Sequence, residues 1–190
     1  MTNVLIIGGD TSKDGLALQL SKEFMPPKYS TASLHRPDID FSEPWIPKLQ
    51  EFLVKTWGGV NKVDIIIVNL YDWRTGKGHV QQDVFEQLFN LYKNTDVQLI
   101  VVGSFAHYLK VSAIHKEYER SKHYLKETVY EKGKLTHTCK LMLIEPGPLP
   151  NVAAKHPQFR DSVLSYDRVL ELIKTGLDLE IKFLHFACRN

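Results

Sequence analysis

Cysteine is scarce in this chain: Cys139 and Cys188 are the only two in 190 residues. With no Cys-x-x-Cys spacing and no partnered histidines, they suggest reduced thiols rather than a disulfide frame or a thiolate zinc site. The eight histidines are scattered, none in a His-Glu-x-x-His pattern and none spaced so as to bring carboxylates with it, so no metal centre is expected. A long apolar run is lacking too, since a bilayer crossing needs about 20 consecutive apolar residues. An excess of one charge is also missing: 24 Lys and Arg against 22 Asp and Glu leave a formal +2 with no basic cluster, so neither nucleic acid nor a membrane surface is an expected partner. No internal repeat or low-complexity segment interrupts the chain.

What is present is an ordinary 43% of hydrophobic residues, enough in a chain of this length to bury one core. A single domain over residues 1–190 is therefore expected. The first residues run directly into an apolar strand without a signal-peptide arrangement, and the expected compartment is the cytosol.

Along the chain, short apolar runs alternate with helical patterns. Asn3 to Ile7 reads as a strand, followed at once by Gly8-Gly9 and then by Gly15 to Leu20 in helical period. A glycine turn opening a helix lets backbone N–H groups face a phosphate, because glycine permits close approach and the helix dipole favours an anion. Tyr29 to Leu34 is a second strand, Pro37 to Phe41 has room only for a vestigial third, and Ser42 with Pro44 is expected to cap and open a helix ending near Trp57 at Gly58-Gly59. Val63 to Val68 is the most β-branched run and should be buried on both faces. Val80 to Tyr92 is helical, Val97 to Val102 a strand, Lys116 to about Lys132 a helix, and Cys139 to Ile144 a strand ending in Glu145-Pro146-Gly147. A proline-bearing loop, a helix from Tyr166 and a last strand over Ile181–Ala187 complete the chain. This alternation predicts an α/β fold, a doubly wound parallel sheet of Rossmann type with helices on both faces, some of them short. Ligands in such folds sit beyond the strand C-termini, where Gly9, Arg36, Asn69, Ser104 and Pro146-Gly147 all fall.

Two features carry chemistry. Tyr118 and Lys122 lie four apart, on one helical face, and Ser104 approaches from the end of the preceding strand, which together make an acid/base site. Spacing alone does not distinguish this pair from an exposed helical Tyr/Lys pair; Tyr130 and Lys134 repeat it where Gly133 already ends the helix. Arg36, at the end of the second strand, tilts a dinucleotide site toward NADP over NAD, because an arginine there favours a 2′-phosphate where an acid favours a free hydroxyl. A solvated loop arginine is the other reading.

Taken in order, these features resemble the short-chain dehydrogenase/reductase family over nearly the whole length. Gly8-Gly9 through Gly15-Leu16-Ala17 is similar to its phosphate turn, in the longer form of the enoyl-acyl carrier protein reductase branch. Asp40-Phe41 resembles the pair that contacts adenine, and Ile67-Val68-Asn69 the start of the Asn-Asn-Ala-Gly segment, with Leu70-Tyr71 in place of small residues. Phe89-Asn90-Leu91 resembles the signature bearing the tetrad asparagine, and Ser104, Tyr118 and Lys122 match the remaining catalytic residues. Pro146-Gly147 resembles the pair bordering the nicotinamide. The resemblance implies an NAD(P)-dependent oxidoreductase of a small carbonyl or alcohol. In it Lys122 lowers the Tyr118 pKa and binds the nicotinamide ribose, Tyr118 is general acid or base, Ser104 binds the substrate oxygen and Asn90 holds a water linking Lys122 to solvent. The alternative is a non-catalytic nucleotide-binding or scaffold protein that kept the fold. The segment between Asn90 and Ser104 is shorter than the family's, so a homo-oligomer would use an altered interface, and Leu149, Val152 and Phe159 are candidates for a small lid.

Overall fold

The computed structural model describes residues 1–9, 15–36, 38–71, 74, 76–105, 116–154 and 157–188. Six strands, β1 (Thr2–Ile7), β2 (Tyr29–Leu34), β3 (Ile65–Val68), β4 (Gln98–Val102), β5 (Lys140–Pro146) and β6 (Phe183–Cys188), form one sheet in the order β2-β1-β3-β4-β5-β6. Every pairing is parallel. The helices are α1 (Leu16–Glu23), α2 (Ile46–Trp57), α3 (Val80–Tyr92), α4 (Lys116–Gly133), the short α5 (Pro150–Ala153) and α6 (Tyr166–Asp178). The strand order reverses direction between β1 and β3, which opens a crevice at their C-terminal ends.

Continuous apolar runs are what a sheet covered on both faces requires, and parity divides them between two cores. In β3, Ile66 and Val68 join the core that also holds Trp45, Leu49 and Leu53 of the α2 region and Val84, Phe85 and Leu88 of α3. Ile65 and Ile67 face the opposite core, with Leu16 and Leu20 of α1 and Val169 and Ile173 of α6. The register carries the second set across the sheet as one row: Ile6 opposite Ile67, Ile67 opposite Ile100, Ile100 opposite Met142, and Met142 opposite Leu184. In α6, Gly176 lies so close to this row that a Cβ there would stand 2.2 Å from Met142 Cε. Ser165 caps the same helix, its hydroxyl accepting from the Arg168 N–H at 3.2 Å.

Two expectations are corrected. No strand forms between Asp38 and Phe41; Ile39 and Phe41 are instead buried as coil residues that close the core above α2, while Pro37 lies outside the described residues. Ser42 does not cap α2. Its N–H and hydroxyl both donate to Asp40 Oδ1, at 3.0 and 2.8 Å, and the helix begins later, at Ile46, with Pro47 in its first turn.

Candidate active site

Because all strands run parallel, β1, β3, β4 and β5 end at one sheet edge, and each contributes to it. Gly8 and Gly9 leave β1 with φ of 80° and 75°, in the left-handed region that glycine adopts without strain. Close approach adds a second reason: a Cβ on Gly8 would stand 2.7 Å from the Asn69 carbonyl oxygen and the Leu70 Cα, and one on Gly9 2.7 Å from the Ala17 Cβ. The glycine turn is thus wedged against the end of β3. Gly8→Ala would combine an unfavourable φ with a backbone clash, and a loss of about 2 to 4 kcal/mol is expected in urea unfolding; an unchanged midpoint would show that the turn relaxes freely.

Residues 10–14 of the expected phosphate turn lie outside the described residues. Gly15 precedes α1, whose first turn has no side-chain cap among the described residues. The nearest heavy atom to a Cβ on Gly15 would be Asn151 Nδ2, at 3.7 Å. The Oδ1 of that same amide is buried without a hydrogen-bond partner among the described residues. An uncapped helix start and an orphaned amide oxygen fit the phosphate and polar groups of a dinucleotide. Asn151, four residues beyond Pro146-Gly147, was not singled out in the sequence because it lies in a proline-rich loop without periodicity.

Arg36 is exposed two residues past the end of β2. Asp40 is engaged otherwise than an adenine contact through its carboxylate would require: Arg74 grips both its oxygens, each at 2.8 Å. The Arg74 guanidinium, together with Ser42, holds this carboxyl well below the usual carboxylate range. The clasp joins the segment after β2 to the segment after β3.

The reactive groups converge at the end of β4. Ser104 hydrogen-bonds the Tyr118 phenol, and Lys122, one turn further along α4, is 4% exposed. Its ammonium donates to Gln81 Oε1 and, at 3.5 Å, to the Leu70 carbonyl. It lies 5.4 Å from the centroid of the Tyr118 ring and 5.6 Å from that of Tyr71. The Tyr71 ring meets Tyr118 edge-on, with centroids 4.7 Å apart, so Tyr71 stands over both partners. Burial pushes the Tyr118 phenol up, against the Ser104 hydrogen bond, which lowers it. Burial likewise brings Lys122 down to about 7. The expected lowering of Tyr118 by Lys122 is therefore not what this geometry gives: desolvation dominates both groups, and the Lys122 charge that was to do the lowering is itself weakened.

Asn90 does not join them. It is exposed in the last turn of α3, nine residues from Gln81, which is two and a half helical turns and about 13 Å along the axis. The side chain that α3 brings to Lys122 is Gln81, 2% exposed. A signal for it existed in the sequence: position 81 falls on the apolar stripe of Val84, Phe85 and Leu88, where a polar residue needs a buried partner.

Behind Ser104, Glu145 is fully buried at the end of β5, and a Cβ on Gly103 would lie 3.2 Å from its Cγ. His185 Nε2 is 2.7 Å from its Oε2, and His185 Nδ1 is 2.7 Å from the Tyr130 hydroxyl. A carboxylate only accepts, so Nε2 carries the proton and, in the neutral ring, Nδ1 accepts from Tyr130. The chain ties α4 to β5 and β6 just before Pro146-Gly147, where the Gly147 N–H donates to the Cys188 carbonyl at 2.8 Å. Of the expected lid residues, Leu149 packs onto the core and Val152 is exposed.

No family model and no curated relative matches the sequence; the likeness is carried by structure. Similar solved structures include an alcohol dehydrogenase from the archaeon Thermococcus sibiricus complexed with 5-hydroxy-NADP, with TM-score 0.69 and 14% identity over 100% of this chain and 97% of that one. A small-chain dehydrogenase in complex with NADPH has TM-score 0.73 and 10% identity, covering 99% of this chain and 97% of that one. A 4-hydroxyisoleucine dehydrogenase complexed with NADH has TM-score 0.71 and 15% identity, covering 98% and 96%. This chain has the α/β Rossmann-like fold of the short-chain dehydrogenases/reductases. Among the described residues no helix is long and apolar enough to cross a membrane.

Proposed function

We propose that this protein is an NAD(P)-dependent oxidoreductase of the short-chain dehydrogenase/reductase type, acting on a small carbonyl or alcohol from a single dinucleotide-binding domain. The observation that carries the reading is the convergence of Ser104, Tyr118 and Lys122 beyond the C-terminal end of β4. Gly8, Gly9 and Gly15 at the start of α1 would hold the pyrophosphate, Arg36 a 2′-phosphate, and Asn69, Pro146, Gly147 and Asn151 the groups nearer the reacting ring. Asp40 leaves this set as a carboxylate ligand, since Arg74 occupies it, and Asn90 leaves the catalytic set. The nicotinamide, when bound, supplies or accepts the hydride. Tyr118, kept protonated across neutral pH by burial, gives a proton to the substrate oxygen in reduction and takes it back in oxidation. Ser104, whose hydroxyl bonds the phenol in the free protein, turns its one proton to the same substrate oxygen as charge develops there.

One observation favours a second reading, a nucleotide-binding protein without turnover: Tyr71 covers Lys122, where a cofactor ribose would need access. Fluorescence titration with NADPH and NADH tests both. Saturable binding is expected, with NADPH about tenfold tighter through Arg36 and that preference lost in Arg36→Ala. No binding of either at millimolar concentration would sink the oxidoreductase reading, and binding without reduction of any carbonyl panel would leave the second one standing.

A further inference from the structure

β3 and β4 end side by side, with Val68 paired to Val101, and the Val68 and Val102 carbonyls face the start of α3. The Gln81 amide meets both: its Nε2 donates to Val68 O at 3.3 Å and to Val102 O at 2.9 Å. Carbonyls only accept, so the amide can point in one way alone, with Nε2 toward the sheet and Oε1 toward Lys122, whose ammonium it accepts. Gln81 therefore links the two strand ends that flank the site to the Lys122 ammonium. The titratable groups about that cation are Tyr71 from the segment after β3, Tyr118 one turn earlier on α4 and Lys126 one turn later, the last lying 3.8 Å from Glu145. Among the described residues no carboxylate stands within ion-pair distance of Lys122.

We propose that Gln81 is the positioning residue of the Tyr118–Lys122 pair: a neutral bracket that fixes the Lys122 amine against the ends of β3 and β4 and leaves it able to exchange a proton. A glutamate in this place would form a buried ion pair and make Lys122 a permanent charge; a shorter asparagine would not span from the sheet to the amine. The proton that Tyr118 passes to the substrate oxygen in each reduction is then replaced from the Lys122 ammonium beside it, a donor that works near neutral pH, consistent with the lowering of Lys122 by burial. The purpose rests on the oxidoreductase reading, but the test does not.

The test is a pH titration by NMR of the protein labelled at lysine Cε and glutamine side-chain nitrogen, without cofactor or substrate. Lys122 is assigned by the peak missing from Lys122→Met, and the Gln81 amide by the one missing from Gln81→Met. In the wild type the Lys122 Cε shift is expected to titrate near neutrality, and the Gln81 amide resonance to move with the same midpoint because it holds the same proton. In Gln81→Glu the Lys122 midpoint is expected to rise by about one to three pH units, as for any amine given an opposite charge at contact. A wild-type Lys122 that titrates at its ordinary value, or a Gln81 resonance indifferent to the Lys122 midpoint, overturns the proposal without recourse to any variant; so does an unchanged midpoint in folded Gln81→Glu. Failure of cofactor binding alongside the expected titration would count against the oxidoreductase reading and leave the bracket intact.

Discussion

Tyr118→Phe is expected to lower kcat for carbonyl reduction by about 100- to 10,000-fold, the range lost when a positioned proton donor is removed. The variant keeps the ring that Tyr71 packs against and loses only the hydroxyl that Ser104 bonds. Its fold and its affinity for NADPH should therefore be close to those of the wild type, which separates a chemical defect from a structural one. Wild-type pH dependence should follow from the raised phenol: the reductive rate is expected to be insensitive to Tyr118 ionisation up to neutral pH, and the oxidative rate to climb with pH as the phenolate becomes accessible. Initial rates of NADPH consumption measure both, and full retention of rate in Tyr118→Phe would remove Tyr118 from the mechanism.

The second large effect concerns stability. Lys122 ordinarily titrates at 10.5 and in the fold at about 7, a difference equivalent to about 5 kcal/mol of penalty on its charged form. Between those values the unfolded chain binds a proton that the folded chain does not, so this group makes stability rise with pH from about 7 to about 10.5; below 7 both states hold the proton and the full penalty stands. Lys122→Met removes the penalty, while leaving the Gln81 and Leu70 oxygens unpaired at a cost of about 1 to 3 kcal/mol each. In urea unfolding at pH 6, 8 and 10 the variant should gain steadily on the wild type as pH falls, by several kcal/mol across the series. Parallel curves for the two proteins would show that Lys122 is solvated in the native state.

Much of this arrangement was legible in the sequence, for physical reasons that can be named. The strands were legible because both faces of the sheet are covered, so Ile65-Ile66-Ile67-Val68 reads as unbroken apolar chain. Tyr118 and Lys122 were legible because helical spacing of four fixes a shared face. Asn90 misled because a local tripeptide carries no information on which face of α3 it occupies, and the face is set by the apolar stripe, half a turn away. Ser42 misled because its N–H and hydroxyl both donate to Asp40, two residues back, while the helix N–H groups it was expected to accept from begin only at Ile46. Gln81 left a trace as a polar residue on the apolar stripe of α3, but its partner did not, and Arg74 and the Glu145–His185–Tyr130 chain were hidden because each partnership spans dozens of residues. Hydrogen bonds of that kind follow from the packing of elements and leave no periodic trace along the chain.

The position of Tyr71 bears on how strongly any nucleotide can be held. With its ring seated on Tyr118 and over Lys122, the competent arrangement is one in which the ring has swung aside, and only that fraction of molecules can close on a ligand. If one molecule in about a hundred is open at a given moment, the measured dissociation constant is about a hundred times the intrinsic one. Affinity in this protein would then be governed by the contact between two tyrosine rings as much as by the residues that touch the nucleotide.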